Sequence, residues 1–201
     1  MKLRPSIILL LLSVAVVLQA RNNVIVVENT SGAALLEAIE KANTQNASPK
    51  ARRLFVFIPN GVYDLGETVL TPILGHNIAF VGESTEGVII RNAPPVEKEG
   101  ISSTAVFLNR GQNNYVQDLT LQNALDYYHS GAAGRAVCWQ DKGNRTIFKR
   151  VKMLSYQDTY YTHSEECQHY LEDTEIHGTV DFICGAGDVY FNRCTFVTEK
   201  R

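Results

Sequence analysis

From residue 54 onward, the apolar residues of this chain come in short dense runs rather than at helical spacing. Leu54-Phe-Val-Phe-Ile58, Ile78-Ala-Phe-Val81 and Val88-Ile-Ile90 are each bounded by Gly, Pro, Asn or Asp, which predicts brief strands separated by turns. Val24 to Val27 reads as one more strand ahead of them. A single stretch breaks the rule. Ala34, Leu35, Ala38, Ile39 and Ala42 recur along one face of a helix that Ser31 or Thr30 can cap, and the polar segment from Thr44 to Pro49 ends it. One amphipathic helix before a run of strands suits a lid over the open end of a solenoid.

The second half of the chain contains a degenerate repeat. Tyr115-Val-Gln-Asp-Leu-Thr-Leu121, Ile147-Phe-Lys-Arg-Val-Lys-Met153, Tyr170-Leu-Glu-Asp-Thr-Glu-Ile176 and Tyr190-Phe-Asn-Arg-Cys-Thr-Phe196 align without gaps. Their starts are separated by 32, 23 and 20 residues (115 to 147, 147 to 170, 170 to 190), so loops of variable length enter at one corner of a repeating unit. Units this short, β-rich and without intervening helices predict an all-β fold, a parallel β-helix. A propeller needs longer four-stranded units, and a β-sandwich whose strands resemble one another by chance is the plainer alternative.

Composition adds a compartment more than a fold. Lys2 and Arg4 precede an apolar run from Ile7 to Val17, and Leu18-Gln19-Ala20 offers a cleavage site, so residues 1–20 are expected to be a signal peptide. The run is short for a membrane span, which points to a secreted or periplasmic protein cut near Ala20, with one domain over residues 21–201. Losing Lys2 and Arg4 takes the formal charge from −2 to −4. No basic cluster follows Lys50-Ala51-Arg52-Arg53, so neither nucleic acid nor membrane is expected as a partner, and a monomer is expected. Cys138, Cys167, Cys184 and Cys194 fit no CxxC metal spacing. Export permits a disulfide in any of three complete pairings, but small apolar repeat positions favour unpaired buried thiols. Sequons occur at Asn29, Asn46 and Asn144.

Chemistry enters with Tyr156-Gln157-Asp158-Thr159 and Gly178-Thr-Val-Asp-Phe-Ile183. Asp158 lies five residues after Met153, and Asp181 five after Ile176, so the two occupy one position of the repeat. Stacked turns would set them about 4.8 Å apart. An aspartate beside a turn is ordinarily a turn residue, but two carboxylates that close repel, so one holds its proton while the other stays ionised. That is an acid and a nucleophile from one residue type. Gln157 can donate to a developing oxyanion. Tyr156, Tyr160, Tyr161 and Trp139 carry flat faces suited to sugar rings or equally to structural stacks. His163 and His177 flank the two motifs and read as polar loop or core residues.

These two motifs resemble the central motifs of the pectin methylesterases. Phe55-Val-Phe-Ile-Pro-Asn-Gly-Val-Tyr63, Ile78-Ala-Phe-Val-Gly82 and Asp118-Leu-Thr-Leu-Gln-Asn123 resemble earlier turns of the same family, so the likeness covers roughly residues 24–201. It implies a right-handed parallel β-helix that hydrolyses galacturonate methyl esters in pectin, with no metal and no other cofactor. Position by position, it makes Asp181 the nucleophile, Asp158 the acid and then base, and Gln157 an oxyanion donor. Tyr161 and Phe182 would bind the sugar.

Three departures stand out. Arg135 precedes Ala136-Val137 where the family has a glutamine. It would serve the oxyanion or clamp a substrate carboxylate, or else pair with a nearby acid. Cys184 replaces a phenylalanine, and without a partner base it is not expected to be a reactive thiol. The family's Leu-Gly-Arg-Pro-Trp motif does not occur, so the chain is expected to be C-terminally incomplete; Arg201 shares the aspartates' register but aligns poorly with that arginine. Other readings are a catalytically silent polysaccharide-binding module and, less well supported, a Ca²⁺-dependent β-helix lyase, which would need a larger acidic cluster.

Overall fold

The gapless alignment of the four repeat segments is the hydrogen-bonding register of the sheet. Tyr115 pairs with Ile147, Ile147 with Tyr170, and Tyr170 with Tyr190. The computed structural model describes residues 23–130 and 133–201; the expected leader lies outside them. In chain order the first elements are β1 (Val24–Val26), α1 (Gly32–Gln45), β2 (Leu54–Ile58), β3 (Gly61–Asp64), β4 (Thr71–Ile73), β5 (Ile78–Gly82), β6 (Val88–Asn92) and β7 (Phe107–Asn109). There follow β8 (Tyr115–Asn123), β9 (Trp139–Asp141), β10 (Thr146–Leu154), β11 (Tyr160–Thr162), β12 (Gln168–Glu172), β13 (Glu175–Gly178), β14 (Ile183–Gly185), β15 (Asp188–Asn192) and β16 (Thr195–Thr198).

Every strand pairing is parallel, and the strands fall on three faces of a right-handed parallel β-helix. One face stacks β1, β2, β5, β8, β10, β12 and β15. The second carries β3 against β6, β6 against the far half of β8, and β10, β13 and β16 in turn. The third is β4, β7, β9, β11 and β14. Strands β8 and β10 are long enough to turn the corner between the first two faces.

That corner falls at the fourth residue of each repeat. Asp118, Arg150, Asp173 and Arg193 there have φ of 55°, 50°, 50° and 52°. Left-handed backbone costs a residue with a Cβ roughly 1–2 kcal/mol, and the ladder offsets it in two ways. The bend keeps successive turns in pairing register, and the stacked corner residues alternate in charge. Arg150 forks onto Asp118 at 2.6 and 2.8 Å, and Arg193 onto Asp173 at 2.8 and 3.0 Å.

Inside, identical repeat positions form apolar columns. Val56, Phe80, Val116, Phe148 and Leu171 stack in register and are all buried. Trp139 sits edge-on to Phe107 and to Phe148, with centroids 5.7 and 5.1 Å away. Helix α1 closes the N-terminal end with Leu35, Ala38, Ile39 and Ala42 buried, and Ser31 is its cap, accepting from the Ala34 N–H at 3.2 Å. The helix runs to Gln45, past the expected break at Thr44. The loop beyond is held by Asn46, whose buried side chain donates to the carbonyls of Arg52 and His76. That burial leaves no room for a glycan on Asn46. All four cysteines are free thiols, two of them buried.

Against this frame, Phe148→Ala should lower stability by ~3–5 kcal/mol in urea unfolding, because a large side chain leaves a cavity that stacked turns cannot close. Arg150→Ala, at an exposed ion pair, should cost less than ~1 kcal/mol. Equal losses would show that the corner ladder, not the interior column, holds the turns together.

Candidate active site

Two turns of the coil deliver the paired aspartates. Tyr160 pairs with Ile183, Tyr161 with Cys184 and Thr162 with Gly185. Asp158 and Asp181 each precede their strand by two residues and therefore lie on adjacent turns at one position. The register continues through the backbone ahead of the strands, where the Asp158 N–H donates to the Val180 carbonyl at 3.2 Å and the Tyr160 N–H to Phe182 at 3.0 Å. Both aspartates are left-handed, with φ of 60° and 47°, which tips their side chains out of the strand alternation. Gly178 makes the second turn possible. A Cβ there would sit 2.1 Å from the Phe182 Cβ and 2.5 Å from the Tyr156 carbonyl oxygen.

The stacked pair is asymmetric. Asp158 is 3% exposed, whereas Asp181 stands open to solvent. Burial, and next the neighbouring charge of Asp181, push the Asp158 carboxyl up to about 6; the Arg135 guanidinium pulls it down and Glu99 adds to the rise. One carboxyl thus holds a proton in a range where an exposed carboxylate has lost its own.

Gln157 and Arg135 meet on adjoining turns, just ahead of β11 and β9. Arg135 bridges in parallel to Gln157, and the Gln157 carbonyl accepts from the Ala136 N–H at 2.9 Å. The Arg135 side chain is anchored by an acid. Its Nε and Nη2 donate to the two oxygens of Glu99 at 3.1 and 2.9 Å, and its backbone N–H reaches the same carboxylate at 3.0 Å. The structure thus shows the acid-pairing reading of Arg135 while keeping its charge close enough to bear on Asp158. Glu99 lies outside the repeat, at the end of a short turn from Val96 to Lys98, and no spacing in the sequence marks it.

Of the aromatic candidates, Tyr161 and Phe182 are half-buried beside the aspartates. Trp139 and Tyr160 are not available to a ligand: at 1% and 0% exposure they belong to the interior stack, because their strand positions point inward. Tyr156 instead stacks on Tyr127, centroids 4.7 Å apart and planes 7° from parallel, with Tyr128 edge-on at 5.5 Å. Those two tyrosines belong to the loop inserted between repeats, so the periodicity carried no sign of them. They stand near a cleft of about 420 Å³ lined by Asn123, Ser155, Tyr156, His177 and Glu199, which reaches Tyr156 but neither aspartate.

His177 is occupied between Glu175 and Glu199, at 2.5 and 2.6 Å. Burial opposes its charge, but the two carboxylates prevail and raise its pKa. His163 is exposed and lies edge-on to the Tyr161 ring, centroids 6.0 Å apart. The Cys184 thiol is pushed up to about 12 by burial and by both aspartates, so it stays protonated.

Comparison with known proteins bears on the family and the fold. The family described as Pectinesterase matches residues 23–201. A probable pectinesterase/pectinesterase inhibitor of Arabidopsis thaliana is 28% identical over 167 residues, covering 83% of this chain and 27% of its own length. A carrot pectin methylesterase superposes with a TM-score of 0.71 at 25% identity, over 89% of this chain and 53% of that one. A pectin methylesterase solved with a hexasaccharide gives a TM-score of 0.68 at 28% identity, over 81% and 51%. The chain therefore spans about half the length of these solved structures and under a third of the Arabidopsis relative.

The buried aspartate has a consequence for stability. The folded chain holds this proton more tightly than an unfolded one, where the carboxyl titrates near 3.8. Asp158 therefore contributes most favourably below about pH 4, and that contribution is lost as pH rises through about 6. Asp158→Asn should be more stable than the parent by ~1–3 kcal/mol at pH 7 and no more stable at pH 4. Denaturant midpoints at the two pH values check this, and an equal difference at both would contradict the buried-proton account.

Proposed function

Since the chain belongs to the pectinesterase family, we propose that it hydrolyses galacturonate methyl esters in pectin and releases methanol. The observation that carries this reading is the unequal stacked pair, one aspartate buried and protonated up to about pH 6, the other exposed on the next turn. Asp181 attacks the ester carbonyl through a carboxylate oxygen. As the tetrahedral intermediate collapses, the bond to the methoxy oxygen breaks, and Asp158 gives its proton to the departing methanol. Asp158, now ionised, takes a proton from the water that cleaves the acyl-enzyme, which frees Asp181 and the substrate carboxyl group. The acid of the first step thereby becomes the base of the second.

Gln157 and Arg135 supply N–H donors for the oxyanion, and Tyr161 and Phe182 offer half-buried faces to the sugar. Pectin as the partner is supported by the related pectin methylesterase that binds a hexasaccharide. Export through a leader ending near Ala20 would bring the protein to that polymer. Among the described residues, Arg135 is the cation whose charge acts on Asp158.

Methanol release from highly methylated pectin tests the reading. Asp181→Asn should abolish it, Asp158→Asn should cost ~10²–10⁴-fold, and Gln157→Ala ~10²–10³-fold. kcat/KM should fall as pH rises through about 6, where Asp158 loses the proton it must donate. A folded chain that binds pectin without releasing methanol would sink the esterase reading in favour of a polysaccharide-binding module.

A further inference from the structure

Arg135 is held more firmly than a surface arginine needs to be. Glu99 takes its Nε, one of its Nη2 hydrogens and its backbone N–H. The same loop takes its carbonyl, which accepts from the Gly100 N–H at 3.3 Å and from the Thr104 hydroxyl at 3.1 Å. The Glu99 side chain is only 13% exposed while that of Arg135 is 40% exposed, so the acid forms the inner, fixed half of the pair. A guanidinium carries five N–H donors in a planar fork. Glu99 uses two of them and leaves three, on a side chain whose charge is felt at Asp158.

We propose that Glu99 is a positioning residue that acts through Arg135, pinning the guanidinium beside Asp158 so that its unspent N–H donors meet the ester oxygen as negative charge develops. The inference rests on the esterase reading for its catalytic meaning, but its geometric content is separate. It also accounts for an arginine where the family has a glutamine. A short amide is placed by its own backbone, whereas a long flexible guanidinium needs a second anchor to be preorganised.

The sign of one titration distinguishes positioning from bystander charge. The groups that act on Asp158 are Asp181, Arg135 and Glu99, with the neutral Cys184 thiol beside them. Glu99→Gln removes a negative charge, which by itself lowers the Asp158 pKa. If Glu99 holds the guanidinium in place, the same substitution releases that cation, and the Asp158 pKa rises instead. Following the Asp158 carboxyl by carbon NMR in the substrate-free protein should therefore show an upward shift in Glu99→Gln. The same direction is expected in Glu99→Asp, which keeps the charge, shortens the reach and serves if the first variant does not fold.

A downward shift or none would overturn the proposal. In methanol release, Glu99→Gln should lower kcat by ~10–100-fold with little change in KM, and should have no further effect once Arg135→Gln is in place. Full additivity of the two substitutions would overturn it as well. A parent chain that releases no methanol defeats the esterase reading alone, because the titration still decides the role of Glu99.

Discussion

Parallel pairing between successive turns is the constraint from which the rest of the molecule follows. Each turn satisfies its backbone groups with the turns before and after it, and the register is set by position in the repeat: Tyr115, Ile147, Tyr170 and Tyr190 occupy one rung position, and Leu121, Met153, Ile176 and Phe196 another. Once the turns are locked this way, any residue type repeated at a position becomes a column. Apolar columns fill the interior. At the corner the columns alternate Asp and Arg, so ion pairing accompanies a backbone conformation that residues with a Cβ otherwise avoid.

The candidate active site is that same rule applied to carboxylates. Asp158 and Asp181 are brought together by stacking alone, with no loop or helix dedicated to the purpose. A column of like charges is unfavourable, and the fold tolerates it because the two members differ in burial, so that one can remain protonated. The asymmetry proposed for catalysis and the cost to stability therefore have one origin, the burial of Asp158. Neutralising Asp158 relieves the strain and removes the proposed acid together.

Arg135 shows how a long charged side chain near such a site is supported from elsewhere. Its guanidinium sits on a long, flexible stem, and the Glu99 loop grips Arg135 at both backbone and side chain. The pairing spans 36 residues of sequence and joins the loop after the Val96–Lys98 turn to the bridge that Arg135 makes with Gln157.

Sequence by itself determined what depends on period. The repeat positions, the strands that carry them and their register, a capping helix begun at Ser31 or Thr30, and the equal placement of Asp158 and Asp181 could be read from spacing, because a solenoid converts position in a repeat into position in space. The short strands of the third face, β4, β7, β9, β11 and β14, carried no such signal. Tertiary structure decided what depends on inserted loops and on which way a side chain points. Trp139 and Tyr160 turned inward, Tyr127 and Tyr128 arrived on an insertion to meet Tyr156, and Glu99 came from outside the repeat to seize Arg135. Only the packed structure made one of two identical carboxyls buried and the other exposed. Burial belongs to a residue's surroundings, and the local sequence around the two aspartates does not specify those surroundings.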